Sequence, residues 1–225
     1  MVGLQILRRT RRVDETHVEA FAGLPVANIS DCMSRMTAAG PRLRRMHKAG
    51  GMAGVALTVK TRPGDNLMIH KALDLAEPGD VIVVDGGGDL TNALVGELMV
   101  TYAVSRVVAG FVINGAIRDS DMISAGSFPV FAAGVTHRGP YKDGPGEINV
   151  PVAIDGMVIH PGDLIVGDGD GVLCIPYDHV DEILSAAKKK SAAEAVTIEQ
   201  IAARTLDTSW VDAALARIGC NPMPR

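Results

Sequence analysis

Aromatic side chains are scarce in this chain of 225 residues: one Trp, three Tyr and four Phe, 4% in all. Hydrophobic residues still make up 47%, so the core must be aliphatic, built from Val, Ile, Leu, Ala and Met. The three cysteines, Cys32, Cys174 and Cys220, are far apart and form no CxxC pair. An odd number without a framework suits a reducing cytoplasm with buried or inert thiols. No apolar run approaches the ~20 residues that cross a bilayer. At the N-terminus the charges follow a short apolar patch, the reverse of a secretory signal. A net charge of −4 gives no electrostatic reason for a nucleic-acid partner. The expectation is a soluble cytoplasmic protein with neither membrane nor nucleic acid as partner.

Several catalytic patterns are missing too. There is no GK[ST], so no P-loop. The run Gly86-Gly87-Gly88 falls short of a dinucleotide fingerprint because Thr91 stands where the third glycine belongs. Gly167-Asp168-Gly169-Asp170-Gly171 looks like the start of a calcium loop, but Val172 and His179 occupy its ligand positions 5 and 12. The histidines form no cluster: His17, His47 and His179 read as surface residues and His160 precedes a turn. Only His70 and His137 remain as residues that could line a site. No Ser/His/Asp or Cys/His nucleophile arrangement can be built, and no lysine is placed for a Schiff base.

Glycine, by contrast, is abundant, with 25 residues, as tight strand–helix joints require. The richest stretch is Asp85–Asp121. A buried strand, Val81–Val84, enters the glycine run, and an amphipathic segment follows with Leu94, Leu98, Met99, Tyr102, Ala103 and Val107 at helical spacing. A second strand, Gly110–Asn114, then leads to the pair Arg118-Asp119. This is a βαβ unit, whose ligand groups gather at the carboxyl ends of its strands. Around it the pattern predicts an arm over residues 1–12, solvated or packed on a neighbouring subunit, and short helices at 14–23 and 30–36, the second capped by Ser30. A strand over 51–62 and a helix over 67–76, capped by Asp65 or Asn66, come next. Further strands follow at 128–133, 148–154, 157–160, 163–167 and 172–175, with a loop at 134–146. From Tyr177 a helix runs to about Arg204, longer than one small domain needs, and a last one spans 207–217. PGDVIVVDGGG (78–88) and PGDLIVGDGDG (161–171) agree at eight of eleven positions. They read either as turn-plus-strand units or as a duplicated binding element.

Two places carry candidate chemistry. If a helix starts near Gly96, the free amides of Gly96-Glu97-Leu98-Met99 form an anion site; alternatively the helix runs unbroken from Asn92. Arg118 offers a planar fork for a carboxylate, and Asp119 offers hard oxygen for a divalent cation such as Mg²⁺. One carboxylate is too few for a protein-only cage, so the ion would keep several waters, with Glu97 and another acid holding them.

The stretches RPGDNLMIHKAL (62–73), PGDVIVVDGGG (78–88), GELM (96–99), GAIRD (115–119), GEINVPV (146–152) and HPGDLIVGDGDGVLCIP (160–176) together resemble the RraA-like family. That family includes class II 4-hydroxy-4-methyl-2-oxoglutarate/4-carboxy-4-hydroxy-2-oxoadipate aldolases. The resemblance covers about Val13–Glu199 and implies one α/β domain over 1–225 with a layered, swivelling-type sheet. It also implies a C-terminal helical extension over 177–225 that contacts a neighbouring subunit in a homotrimer or homohexamer.

By the same resemblance, Gly96, Glu97, Leu98 and Met99 bind substrate through their backbone and Arg118 binds its carboxylate. Asp119 ligates Mg²⁺ (or Mn²⁺), and Glu97 holds it through water. So does Glu194, or Glu199, from a neighbouring subunit. The implied reaction is cleavage of a 4-hydroxy-2-oxo acid to pyruvate through an enolate, with oxaloacetate decarboxylation as a side activity and a water held by Glu97 carrying the proton. Other RraA-like proteins are regulators that bind and inhibit a ribonuclease without catalysis. Those typically lack the acid in the position of Asp119, which this chain keeps. The sequence differs from the aldolases in its DGGGDLTNAL segment and in its tail from Thr205.

Overall fold

The computed structural model describes residues 1–220. Backbone contacts divide the chain into two compact units, Met1–Ala187 and Lys188–Arg225. The first unit begins with β1 (Leu4–Ile6), α1 (Glu15–Ala22), α2 (Val26–Cys32), β2 (Arg44–Arg45), β3 (Met52–Thr61) and α3 (Leu67–Leu75). It continues with β4 (Asp80–Asp85), β5 (Ala93–Val95), α4 (Glu97–Ser105), β6 (Gly110–Ile117), α5 (Ser120–Ala125) and β7 (Val130–Val135). Five short strands follow: β8 (Gly146–Ile148), β9 (Val152–Ile154), β10 (Met157–Ile159), β11 (Leu164–Gly167) and β12 (Val172–Ile175). Helix α6 (Val180–Ala202) starts in this unit, and the second unit holds its remainder and α7 (Ser209–Arg217). Residues 221–225, the end of the expected C-terminal extension, lie outside the described residues. No helix among the described residues is long and apolar enough to cross a membrane.

The fold is mixed α/β. Ten strands form one sheet with the path β1-β8-β3-β4-β6-β7-β2; β5 pairs with β6, and β11 pairs with both β12 and β3. The central pairs β3–β4, β4–β6 and β6–β7 are parallel. Parallel strands are covered on both faces, and the sequence shows it. Along β4, Ile82 and Val84 pack into one core with Phe111, Ile113, α3 and α4, while Val81 and Val83 pack into another with Val112, Phe131 and the β9–β10 hairpin. A third cluster joins Phe21 of α1 and Ile29 of α2 to β11, β12 and the start of α6. Each such aliphatic side chain contributes roughly 1.5–3 kcal/mol by leaving water, which lets a chain this poor in aromatics form a core.

The N-terminal residues are not a free arm. β1 adds to the sheet beside β8, and the arginines behind it reach two buried carboxylates. Asp80 accepts from Arg9 at 2.7 Å and Arg12 at 3.0 Å, and closes its own turn by accepting from the Glu77 N–H at 2.9 Å. Asp163 repeats the arrangement with Arg11 at 3.3 Å and the His160 N–H at 2.8 Å. Gly79 and Gly162 take the left-handed conformation that each turn needs (φ +81° and +92°). The repeated PGD motif is therefore a turn-plus-strand unit whose aspartate is neutralised by the N-terminus, not a duplicated binding element. Removing one partner of a buried ion pair costs about 3–5 kcal/mol. Asp80→Ala is accordingly expected to destabilise the protein by about 3 kcal/mol in urea unfolding, and a change under 1 kcal/mol would contradict this account.

Three local expectations change. Residues 30–36 are not a Ser30-capped helix: α2 starts after Pro25 and ends at Cys32, and Ser34 and Arg35 turn left-handed (φ +57° and +58°). The strand expected over 148–154 is broken at Asn149 (φ +58°) into β8 and β9. His47 is buried, not on the surface: its Nε2–H faces the Gly50 carbonyl and its Nδ1 accepts from the Val130 N–H. The thiols are free: Cys174 is buried and Cys220 exposed.

Candidate active site

β5 and β6 run parallel, with Val95 opposite Ile117, and the Arg118 N–H donates to the Val95 carbonyl at 3.0 Å. This registers the pair after β6 against the residue after β5, Gly96. Helix α4 begins at Glu97, so of the two starts open in the sequence the Gly96 one is correct; Leu94 belongs to β5. Asp119 is left-handed (φ +56°), a conformation that Asp tolerates better than most residues. The turn aims its carboxylate back at α4, where Oδ2 accepts from the Glu97 N–H at 2.9 Å and lies 3.7 Å from Arg118 Nε.

Gly96 has an ordinary extended backbone (φ −149°); its lack of a side chain matters for space. A Cβ there would lie 2.5 Å from Asp119 Oδ2 and 2.9 Å from Arg118 Cγ. The helix end is thus only partly open. Asp119 takes the Glu97 amide, while the Met99 and Val100 amides return to the Gly96 carbonyl. Among the described hydrogen bonds none engages the Leu98 N–H.

Gly96, Leu98, Met99 and Arg118 line one hollow of about 150 Å³, together with Asn66, His70, Pro140 and Lys142. This is well below the ~300–1,000 Å³ of sites for drug-sized ligands, and suits a small molecule. Arg118 also borders a second hollow, of about 510 Å³, with Asp119, Thr136 and His137. Both histidines singled out from sequence therefore border the Arg118 region. Asn66, Pro140 and Lys142 had no such indication. Of the two caps open in the sequence, Asp65 supplies the bond, its Oδ1 accepting from the Leu67 N–H, and the Asn66 side chain makes no capping bond. Asn66 is 2% exposed; its Nδ2 donates to the Leu94 carbonyl at 2.9 Å, and its Oδ1 has no partner. A buried acceptor left unpaired costs roughly 1–3 kcal/mol, which a donor on a ligand would recover.

Partial desolvation of the His70 ring, which keeps an exposed edge, holds it below the usual histidine value of 6.5, with the Lys142 ammonium adding to the shift and Asp74 opposing it. The imidazole is neutral at pH 7. As pH falls through 6.5 the unfolded chain takes up this proton before the folded one, so folded stability drops with it. Between pH 7.5 and 5.5 the wild type should lose stability relative to His70→Gln in urea midpoints, and a relative gain would contradict the neutral assignment.

A cation-binding group can be tested against the same residues. Among the described residues no three His, Cys, Asp or Glu side chains are grouped to hold a metal. Asp119 Oδ1, free of hydrogen bonds, is one hard oxygen beside a cleft. That donor set fits an ion such as Mg²⁺, which keeps most of its waters, and does not fit a closed nitrogen or sulfur cage. Glu97, exposed, is the first residue of α4. Glu194 lies in the second unit, 3.2 Å from Lys190 on the same helix; Glu199 is exposed on α6.

The RraA-like family model, described as Aldolase/RraA, matches residues 26–174, which contain every lining residue of the smaller hollow. A protein of Halalkalibacterium halodurans named "Putative 4-hydroxy-4-methyl-2-oxoglutarate aldolase" is 42% identical over 175 residues, 78% of this chain and 83% of its own. Among solved structures, an uncharacterized protein from Pseudomonas syringae pv. tomato has a TM-score of 0.77 at 26% identity, covering 85% of this chain and 94% of that one. The RNA-processing inhibitor RraA from Thermus thermophilus has a TM-score of 0.63 at 30% identity, covering 68% and 92%. The chain belongs to the RraA-like family.

Proposed function

We propose that this protein is a class II pyruvate aldolase, cleaving 4-hydroxy-2-oxo acids to pyruvate and a second oxo compound, with oxaloacetate decarboxylation as a side activity. The carrying observation is the 2.9 Å bond from the Glu97 N–H to Asp119, which holds the carboxylate at the helix end beside Arg118, the residue shared by the small hollow and the larger one that Asp119 lines. A divalent cation held by Asp119, Mg²⁺ or Mn²⁺, would supply Lewis-acid stabilisation of the enolate oxygen. Arg118 pairs its fork with the 2-oxo acid end, and the open Leu98 amide donates to the same end. Lys142 lines the hollow as a second cation, matching substrates that carry a second carboxylate. Glu97 receives the 4-hydroxyl proton through water. C4 becomes a carbonyl as the C3–C4 pair passes into the enolate, and a proton returned to C3 yields pyruvate. With oxaloacetate the same pair is left when carbon dioxide departs.

Each charge-stabilising group of this kind contributes roughly 10²–10³ in rate. Glu97 and a neighbouring copy's Glu194 are the acids proposed to order water around the cation, in a homotrimer or homohexamer. The test is pyruvate release from oxaloacetate with Mg²⁺, with and without EDTA. Turnover abolished by the chelator supports the reading, and its absence under both conditions refutes it. The resemblance to an RNA-processing inhibitor favours one rival, a non-catalytic ribonuclease regulator, which would show no turnover and would retain a ribonuclease in a pull-down.

A further inference from the structure

The segment from Arg138 to Gly144, a plain loop by its sequence, is fastened at both ends. At one end the Ala93 N–H donates to the Arg138 carbonyl at 2.8 Å and Asn92 Nδ2 to the Gly139 carbonyl at 2.5 Å. At the other, Tyr141 exchanges backbone bonds with Gly64 and Asn66 at 2.8 and 3.0 Å. Alternate residues then face opposite ways: Pro140 and Lys142 line the hollow, whereas Tyr141 and Asp143 turn to the anchor.

The anchor is one carboxylate. Asp65 is fully buried; its Oδ2 accepts from the Asp143 N–H at 2.8 Å, the Gly144 N–H at 2.9 Å and Arg62 at 3.1 Å. Its Oδ1 accepts from the Leu67 N–H at 2.9 Å, which starts the helix carrying His70. Two walls of the hollow, the α3 end with Asn66 and His70 and the segment with Pro140 and Lys142, therefore meet on a single side chain. Burial alone would push this carboxyl up, but the three amides and Arg62 outweigh it and hold it below the ordinary aspartate value.

We propose that Asp65 is a positioning residue: it fixes residues 140–144 as a wall of the hollow and so sets affinity for the substrate end that Lys142 meets. Asp65 does not touch the reacting atoms. The proposal rests on the aldolase reading for its kinetic consequences, but the anchoring itself can be measured without turnover.

Asp65→Asn keeps the volume and one acceptor but sets an amide donor against backbone donors. With oxaloacetate and Mg²⁺, Asp65→Asn and Lys142→Ala should each raise KM about tenfold and leave kcat within about threefold. The double variant should be no worse than the weaker-binding single one, because both remove the same contact. The inhibition constant of oxalate, a two-carbon dianion that fills only the Arg118–Asp119 end, should stay within about twofold. An unchanged KM, an oxalate constant that rises in step with KM, or multiplicative effects in the double variant would each overturn the proposal. Arg62→Ala, which removes only the cation from the same carboxylate, gives a milder change in the same direction and serves if the asparagine variant folds poorly.

If the wild type releases no pyruvate, the aldolase reading fails on its own. The positioning claim is then decided by amide hydrogen exchange. Asp143 and Gly144 should exchange at least about tenfold faster in the variant with α4 unchanged, and equal rates would overturn it.

Discussion

Asp119→Asn is expected to lower oxaloacetate turnover by more than about a thousandfold while the melting temperature stays within about 2 °C of wild type. The substitution separates two jobs that one side chain performs. Asn tolerates the left-handed backbone at φ +56° nearly as well as Asp, and its carbonyl can still accept the Glu97 N–H. What disappears is the negative charge, and with it the hard oxygen on which a divalent cation would sit. Losing about 4 kcal/mol of charge stabilisation in the transition state corresponds to roughly a thousandfold in rate. Asp119→Ala should be as inactive but also less stable, by about 0.5–2 kcal/mol for the lost cap and roughly 1–2 kcal/mol for a non-Asx residue in the left-handed region. An asparagine variant that keeps more than a tenth of wild-type kcat would place the chemistry elsewhere.

The second large effect comes from adding one methyl group. Gly96→Ala costs the backbone little, since the φ of −149° is open to any residue. Its Cβ, however, would stand 2.5 Å from Asp119 Oδ2, 2.9 Å from Arg118 Cγ and 3.1 Å from Arg118 Nε. At such separations the carboxylate and the guanidinium stem must both move. A displacement near 1 Å at a catalytic group is enough for about a hundredfold loss. We expect kcat/KM for oxaloacetate to fall about that far in a protein whose far-ultraviolet circular dichroism is unchanged. Gly139→Ala is the control: its Cβ would meet only Arg118 Nη1 at 3.3 Å, the far end of a flexible side chain, and activity should stay within about threefold. Full activity in Gly96→Ala would mean that the close approach of the pair to the helix end is incidental.

These residues also show how far a sequence can be read. The βαβ unit and its Arg118-Asp119 pair were legible because buried strands have a simple pattern and because ligand groups collect at strand ends. The choice between a helix from Asn92 and one from Gly96 could not be made, since it depends on Asp119 capping α4 from 22 residues away. Asn66 and Lys142 were hidden for a related reason. One looked like a local cap and the other sat between turn residues, and only the Asp65 anchor brings them to one hollow. The arginine-rich N-terminus resembled a solvated arm because its partners, Asp80 and Asp163, are buried far along the chain. Breaks at Ser34, Arg35 and Asn149 escaped notice because non-glycine residues seldom turn left-handed.

The central claim is that these groups stabilise the enolate of pyruvate, and proton exchange reads that species without any aldol substrate. Pyruvate incubated in D₂O with the protein and Mg²⁺ should lose its methyl proton resonance far faster than in a protein-free control. EDTA or Asp119→Asn should return the rate to that control. Exchange at the control rate, or fast exchange indifferent to both EDTA and Asp119, would contradict the account.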